Sequence, residues 1–203
     1  MTIRPLFVTQ LYEARLPRAA ALNQTLSHAM RVIARDDAAG RAWSAEKGYP
    51  GYTSYASLND LPWRAPAFED LQTHLDEHAA LFARELDFDL GGKKLSLDSL
   101  WINILKPGGV HTGHVHPHSV ISGTYYVDVP EGAGGLKLED PRLPLMMAAP
   151  PRKQRAAAEN RTFHYLKPRA GDLVMWESWL RHEVERGDAK TDRLSVSFNY
   201  RWG

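Results

Sequence analysis

The chain has 203 residues, 43% of them hydrophobic and 24% charged, enough to bury the core of one β-rich domain. Its 25 basic and 24 acidic side chains leave a net charge of +1, which argues against a large electrostatic footprint for nucleic acid or a membrane surface. The absence of cysteine excludes disulfide staples, thiolate metal ligands and cysteine nucleophiles.

The opening stretch, MTIRPLFVTQLYEARLP, lacks a long apolar core followed by small residues, and nothing later approaches about 18 uninterrupted apolar residues, so a cytoplasmic location is expected. From about Arg18 to Asp37, Leu22, Leu26, Met30 and Ile33 recur at steps of three and four, which predicts an amphipathic helix. His28 within it reads as a helix-surface or satisfied core residue. The segment PAFEDLQTHLDEHAALFARELDF repeats the rhythm, with Phe68, Leu71, Leu75, Leu81, Phe82 and Leu86 on a stripe and Pro66 near the start. His74 and His78 have the spacing of a helical metal pair, but the acids and glutamine around them mark a solvated face.

After Gly91-Gly92 the helical period stops. Six segments rich in β-branched and aromatic residues follow, LSLDSLWINIL, VISGTYYVDV, GGLKLED, RTFHYLK, GDLVMWES and RLSVSFNYRW, each bounded by Gly, Pro, Asp or Asn, the punctuation of a β-sandwich or barrel. PRLPLMMAAPPRKQRAAAEN between two of them reads as a long loop able to cover a site. The expectation is a single domain over 1–203, with helical support over about 1–92 and a β core over about 93–203.

The chemistry concentrates in GGVHTGHVHPHSVISGTYYV, residues 108–127, where His111, His114, His116 and His118 crowd eight positions. On an extended backbone, side chains two apart point the same way, so His114 and His116 can take adjacent corners of one metal's shell; imidazole suits Fe, Zn, Cu or Ni. A later segment offers a third ligand in His182. In the strand beginning at Arg193, Arg193, Ser195 and Ser197 share one face and Leu194, Val196 and Phe198 the other. An arginine on an inward face needs an anionic partner; a ligand carboxylate gripped in bidentate fashion, with Ser195 adding a hydroxyl, supplies one, and a protein carboxylate is the alternative.

H-x-H followed by PHSVISGTYYV, then LEDPR, then His182 and RLSVSFN, resembles the iron(II)- and 2-oxoglutarate-dependent oxygenases, in a bacterial and phage branch marked by H-x-H-P and S-G-x-Y-Y. The resemblance covers roughly Leu95 to Trp202, with weaker echoes in GYTSYASLNDL. It implies a mainly β fold with a helical buttress, a double-stranded β-helix or cupin-like jelly-roll. It also implies Fe(II) held by His114, His116 and His182, and 2-oxoglutarate held by Arg193 and Ser195, with Tyr126 and Asn103 on the cosubstrate wall. The implied activity is that of a dioxygenase, with hydroxylation the first choice of reaction, on a small-molecule or peptide substrate, without nucleic acid or membrane; a homodimer is left open. His116 departs from the family's H-x-D or H-x-E pattern, so His111, His118, Asp140 and Glu183 stand as alternative ligands; Asp140 and Arg142 read rather as a loop pair. The runner-up is a cupin-type metal protein without 2-oxoglutarate, although the glutamate that cupins place after H-x-H is missing. Trp43, Tyr49, Tyr52, Tyr55, Trp63, Trp176 and Trp179 could line a substrate approach, but core packing accounts for most of them.

Overall fold

A computed structural model describes every residue from Met1 to Gly203 and contains both rhythms read from the sequence, together with elements that neither rhythm signals. Helix α1 (Ala19–Asp36) buries Leu26 and Met30 along the expected stripe and leaves His28 exposed. Helix α2 (Ala38–Glu46) follows at once because Asp37 caps it, its carboxylate accepting from the Gly40 amide at 2.9 Å. The same carboxylate accepts from Tyr52 Oη at 2.9 Å and Ser57 Oγ at 2.6 Å. Burial opposes its charge, but these hydrogen bonds prevail and hold Asp37 below the usual carboxylate range. A single turn, α3 (Leu61–Arg64), precedes α4 (Pro66–Glu85), which starts on Pro66, where the missing amide costs no helical hydrogen bond.

Along α4 the buried stripe runs through Phe68, Leu71, Leu75, Ala79, Phe82 and Ala83. Leu81 is 39% exposed and Leu86 lies past the last turn, so these two expected stripe residues are corrected. Six residues beyond Leu75, a 100° step per residue carries position 81 away from the core. His78 carries no metal; its Nδ1 is 2.6 Å from the Tyr12 hydroxyl, which ties α4 to the first strand.

Ten strands form two antiparallel sheets. The larger has the order β1-β8-β5-β10-β3-β2, made of β1 (Leu11–Arg15), β8 (Asp172–Glu177), β5 (Ile121–Asp128), β10 (Arg193–Trp202), β3 (Leu95–Leu105) and β2 (Gly51–Thr53). The smaller has the order β4-β9-β6-β7, made of β4 (His111–His114), β9 (His182–Val184), β6 (Leu136–Glu139) and β7 (Phe163–Leu166). The six expected strands are all present. The front of the chain is not purely helical, however, since β1 and β2 complete the two edges of the larger sheet. A Cβ at Gly51, whose φ is +145°, would collide with the Ile104 carbonyl, so β2 can approach β3 only because residue 51 has no side chain.

The helices cover one face of the larger sheet. Leu26, Phe68, Leu71 and Leu75 pack there with Leu100, Ile102, Leu194, Val196 and Phe198. Its other face, carrying Trp101, Asn103, Tyr126, Arg193 and Ser195, looks across at the smaller sheet, so the period of two divides an apolar support from a polar interior. The β6–β7 loop holds two short 3₁₀ turns, Leu143–Leu145 and Ala158–Asn160. Its ends and residues 4–11 wall a cleft of about 460 Å³ beside, rather than over, the histidines. No helix is long and apolar enough to cross a membrane.

Candidate active site

The donor atoms of His114, His116 and His182 all lie within 4.8 Å of one another. His114 closes β4, His182 opens β9, and the two are paired across the smaller sheet. His116 reaches the same point by another route than strand alternation: β4 has ended, and the His116 backbone N–H donates to the Ser178 carbonyl at 3.0 Å, anchoring the turn that presents its ring. The Nε2 atoms of His116 and His182 are 3.3 Å apart. Two nitrogens about 2.1 Å from one ion, at right angles to each other, would be about 3 Å apart.

The backbone sets the tautomers of two rings. Nδ1–H of His182 donates to the Leu180 carbonyl at 2.9 Å, and Nδ1–H of His114 to the Thr112 carbonyl at 2.7 Å, which leaves both Nε2 lone pairs free for a cation. Burial, reinforced by neighbouring imidazoles, pushes His182 down to about 3 and His116 down to about 4. Burial also lowers His114. All three are therefore neutral ligands at ordinary pH.

The alternative ligands lie elsewhere. His118 is exposed with φ +68°. Asp140 grips Arg142 at 2.8 Å, forming the expected loop pair, and Glu183 pairs with Lys137 at 2.8 Å. His111 is close, its ring 4.3 Å from that of His114 and edge-on to Tyr49 at 5.7 Å, but it stands outside the converging trio.

Arg193 lies in the same cavity. It is 6% exposed, has no acidic partner, donates from one terminal nitrogen to the Gly134 carbonyl at 3.1 Å, and keeps a buried Nε–H without an acceptor. Its guanidinium carbon sits 5.3 Å from the Tyr126 ring centre, and the Tyr126 hydroxyl is likewise buried and unpartnered. Buried polar groups are rarely left this way, and two of them in one cavity mark a place for a ligand that accepts hydrogen bonds. Ser195 and Asn103 line the same space. Asn103 is held rigidly, donating to Ser197 Oγ at 3.0 Å and accepting from the Tyr49 hydroxyl at 3.2 Å.

Sequence reasoning overlooked Trp101, which packs 5.8 Å from the His116 ring, although the two-residue period of β3 places it on the face of Asn103. Ser197 and Thr124, bonded to each other at 3.1 Å, extend the polar wall. Of the aromatics considered for a substrate approach, Tyr49 and Trp176 line the cavity, Trp176 lying 4.6 Å from His182. Trp63 is exposed, and Tyr52 serves Asp37.

These depressed histidines make a pH prediction. Below the ordinary value of 6.5 the unfolded chain takes up protons that the folded site refuses until about 4 for His116 and about 3 for His182. Protonation thus favours the unfolded state in that window. The urea midpoint of the metal-free protein is expected to fall as pH drops from about 6.5 towards about 4. A midpoint that stayed level there would show that these imidazoles are not buried as neutral groups.

Residues 99–199 match the family model described as "Putative 2OG-Fe(II) oxygenase". No curated protein matches the sequence. Among solved structures, a prolyl-4-hydroxylase from Pseudomonas putida is similar with a TM-score of 0.63 and 19% identity, covering 96% of this chain and 94% of that one. The non-heme alpha ketoglutarate-dependent epimerase SnoN from nogalamycin biosynthesis follows at 0.62 and 17%, covering 95% and 76%. HygX from Streptomyces hygroscopicus, solved with nickel and 2-oxoglutarate bound, gives 0.59 and 14%, covering 96% and 82%. At such identities the likeness establishes the jelly-roll fold, and the family match speaks to the segment that carries the three imidazoles and the buried arginine. Residues 99–199 of this chain belong to the 2OG-Fe(II) oxygenase family.

Proposed function

We propose that the chain acts as a 2-oxoglutarate- and Fe(II)-dependent hydroxylase, with His114, His116 and His182 holding the metal and Arg193, Ser195, Tyr126 and Asn103 holding the ketoacid. The observation that carries this reading is Arg193, a buried guanidinium with no acidic partner in the cavity that also gathers three neutral imidazoles. The residues fit both groups. Neutral nitrogen donors with fixed tautomers suit a divalent transition metal, and unpartnered N–H and O–H groups suit a carboxylate. When bound, the iron and ketoacid supply oxidation of a C–H bond by dioxygen, coupled to decarboxylation of the ketoacid to succinate.

Each of the chain's own groups has a task in this reading. Arg193 neutralises and orients the distal carboxylate, with the Ser195 and Tyr126 hydroxyls completing its hydrogen bonds. Asn103, locked between Tyr49 and Ser197, presents a fixed amide along the cosubstrate. Trp101 and Trp176 pack against His116 and His182 and keep water from the ligand side of the rings. The cleft of about 460 Å³ shares Leu138 and Leu180 with the surroundings of His182, and it offers a substrate room next to the metal position.

A prolyl hydroxylase from Trichoplax adhaerens, similar in fold, was solved with a peptide fragment, and SnoN with nogalamycin RO. A peptide or small molecule is the substrate class in keeping with these, in a cytoplasmic enzyme that acts as one domain over 1–203 without nucleic acid or membrane. Adding Fe(II) and 2-oxoglutarate together, without oxygen, should produce a visible charge-transfer absorbance that neither produces alone. Metal uptake without that absorbance would favour a ketoacid-independent cupin, and no metal uptake would favour a non-enzymatic sandwich.

A further inference from the structure

The converging donors include no carboxylate, and the acids nearest to them in the fold are engaged elsewhere. Asp140 pairs with Arg142 at 2.8 Å, Glu183 with Lys137 at 2.8 Å, and Glu139 with Arg181 at 3.4 Å. The same cavity buries the Arg193 guanidinium without any acid to balance it. A divalent ion held by His114, His116 and His182 would therefore share a poorly hydrated interior with a second cation, and no protein group would offset either. Buried charge is costly unless it is neutralised, and like charges in one low-dielectric cavity raise each other's cost.

A ketoacid dianion reverses that cost at both ends, with one carboxylate at Arg193 and the other end at the metal. We propose that the all-imidazole donor set makes metal retention depend on the ketoacid: 2-oxoglutarate is the anion that this cavity lacks, and the two bind with positive cooperativity. This rests on the ligand assignment of the preceding section and goes beyond it, since that assignment alone requires only that both bind. Linkage makes the effect reciprocal, the ketoacid raising metal affinity by the factor by which the metal raises ketoacid affinity. Arg193 acts against the metal in the ketoacid-free protein and for it once the ketoacid is bound, whereas a carboxylate among the ligands would uncouple the two.

The test is a thermodynamic square on the full chain by equilibrium dialysis, with Ni(II) as an oxygen-stable probe and correction for Ni(II) bound by free ketoacid. Saturating 2-oxoglutarate is expected to tighten Ni(II) binding by about tenfold or more, within the usual 5- to 150-fold range of such couplings. 2-Oxobutyrate, which lacks the distal carboxylate, should tighten it less. In Arg193→Met, Ni(II) should bind without ketoacid at least as tightly as in the unaltered protein, and the ketoacid effect should shrink. In His116→Asp, Ni(II) binding without ketoacid should tighten and the ratio fall towards one. If His116→Asp lost Ni(II) altogether through its shorter reach, the unaltered chain and Arg193→Met would still decide. Equal Ni(II) affinity with and without a ketoacid shown to be bound would overturn the coupling and leave the site assignment standing. Ni(II) binding that His182→Ala left untouched would overturn the assignment, and the coupling with it.

Discussion

Replacing His182 with alanine is expected to abolish specific metal binding, with a loss of at least about 100-fold in affinity, above the 10- to 100-fold typical of removing a group that merely orients a ligand. His182 is 6% exposed, its Nδ1–H is committed to the Leu180 carbonyl at 2.9 Å, and its Nε2 points at the converging trio. Only two imidazoles would remain, and no carboxylate stands by to replace the third. The fold should survive. The lost ring packs on Trp176 at 4.6 Å but carries no charge, and β9 is held by backbone pairing with β4 and β6. Metal content after dialysis, with far-UV circular dichroism as the control for folding, measures the outcome. Undiminished metal affinity in a folded variant would remove His182 from the site.

Replacing Arg193 with methionine is expected to cost ketoacid binding about 2 to 5 kcal/mol, the usual penalty for truncating one partner of a buried hydrogen-bonded charge pair. Metal should be retained. The sign of the stability change separates a ligand-binding arginine from a structural one. A buried arginine paired with a protein acid would leave that acid stranded when removed, and the fold would weaken. Here the guanidinium has only the Gly134 carbonyl as hydrogen-bond acceptor and the Tyr126 ring beneath it. The metal- and ketoacid-free variant should therefore melt no lower than the unaltered chain, and about 2–4 °C higher for each kcal/mol of burial cost relieved. A sharply lowered melting temperature would mean that Arg193 serves the fold and that the ketoacid has another anchor.

These two residues show how far a sequence can be read. Arg193 was legible because a strand has a period of two: once Leu194, Val196 and Phe198 are seen to share the core face, Arg193, Ser195 and Ser197 must share the other, and no tertiary knowledge is needed to find a charge pointing inward. Helices α1 and α4 were legible for the same kind of reason, with a period of 3.6. Leu81 shows the limit, since counting apolar residues is not the same as following their angle around the axis. His116 was identified correctly through an argument that the structure replaces. Its ring arrives from the turn after β4, placed by a hydrogen bond to Ser178, a residue 62 positions away.

Periodicity, charge balance and the clustering of histidines by themselves determined that a helical front supports a β half, that a metal site lies near His114 and His116, and that an inward arginine awaits an anion. The tertiary structure alone decided that β1 and β2 leave the helical front to close the edges of the larger sheet. It also decided that His182 rather than His111, His118 or a carboxylate completes the trio, and that Arg193 meets no internal acid. The physical reason is the range of the interactions. A side-chain period is a property of neighbouring residues, written locally in the chain, whereas coordination and charge pairing depend on which distant strands become neighbours across the sandwich.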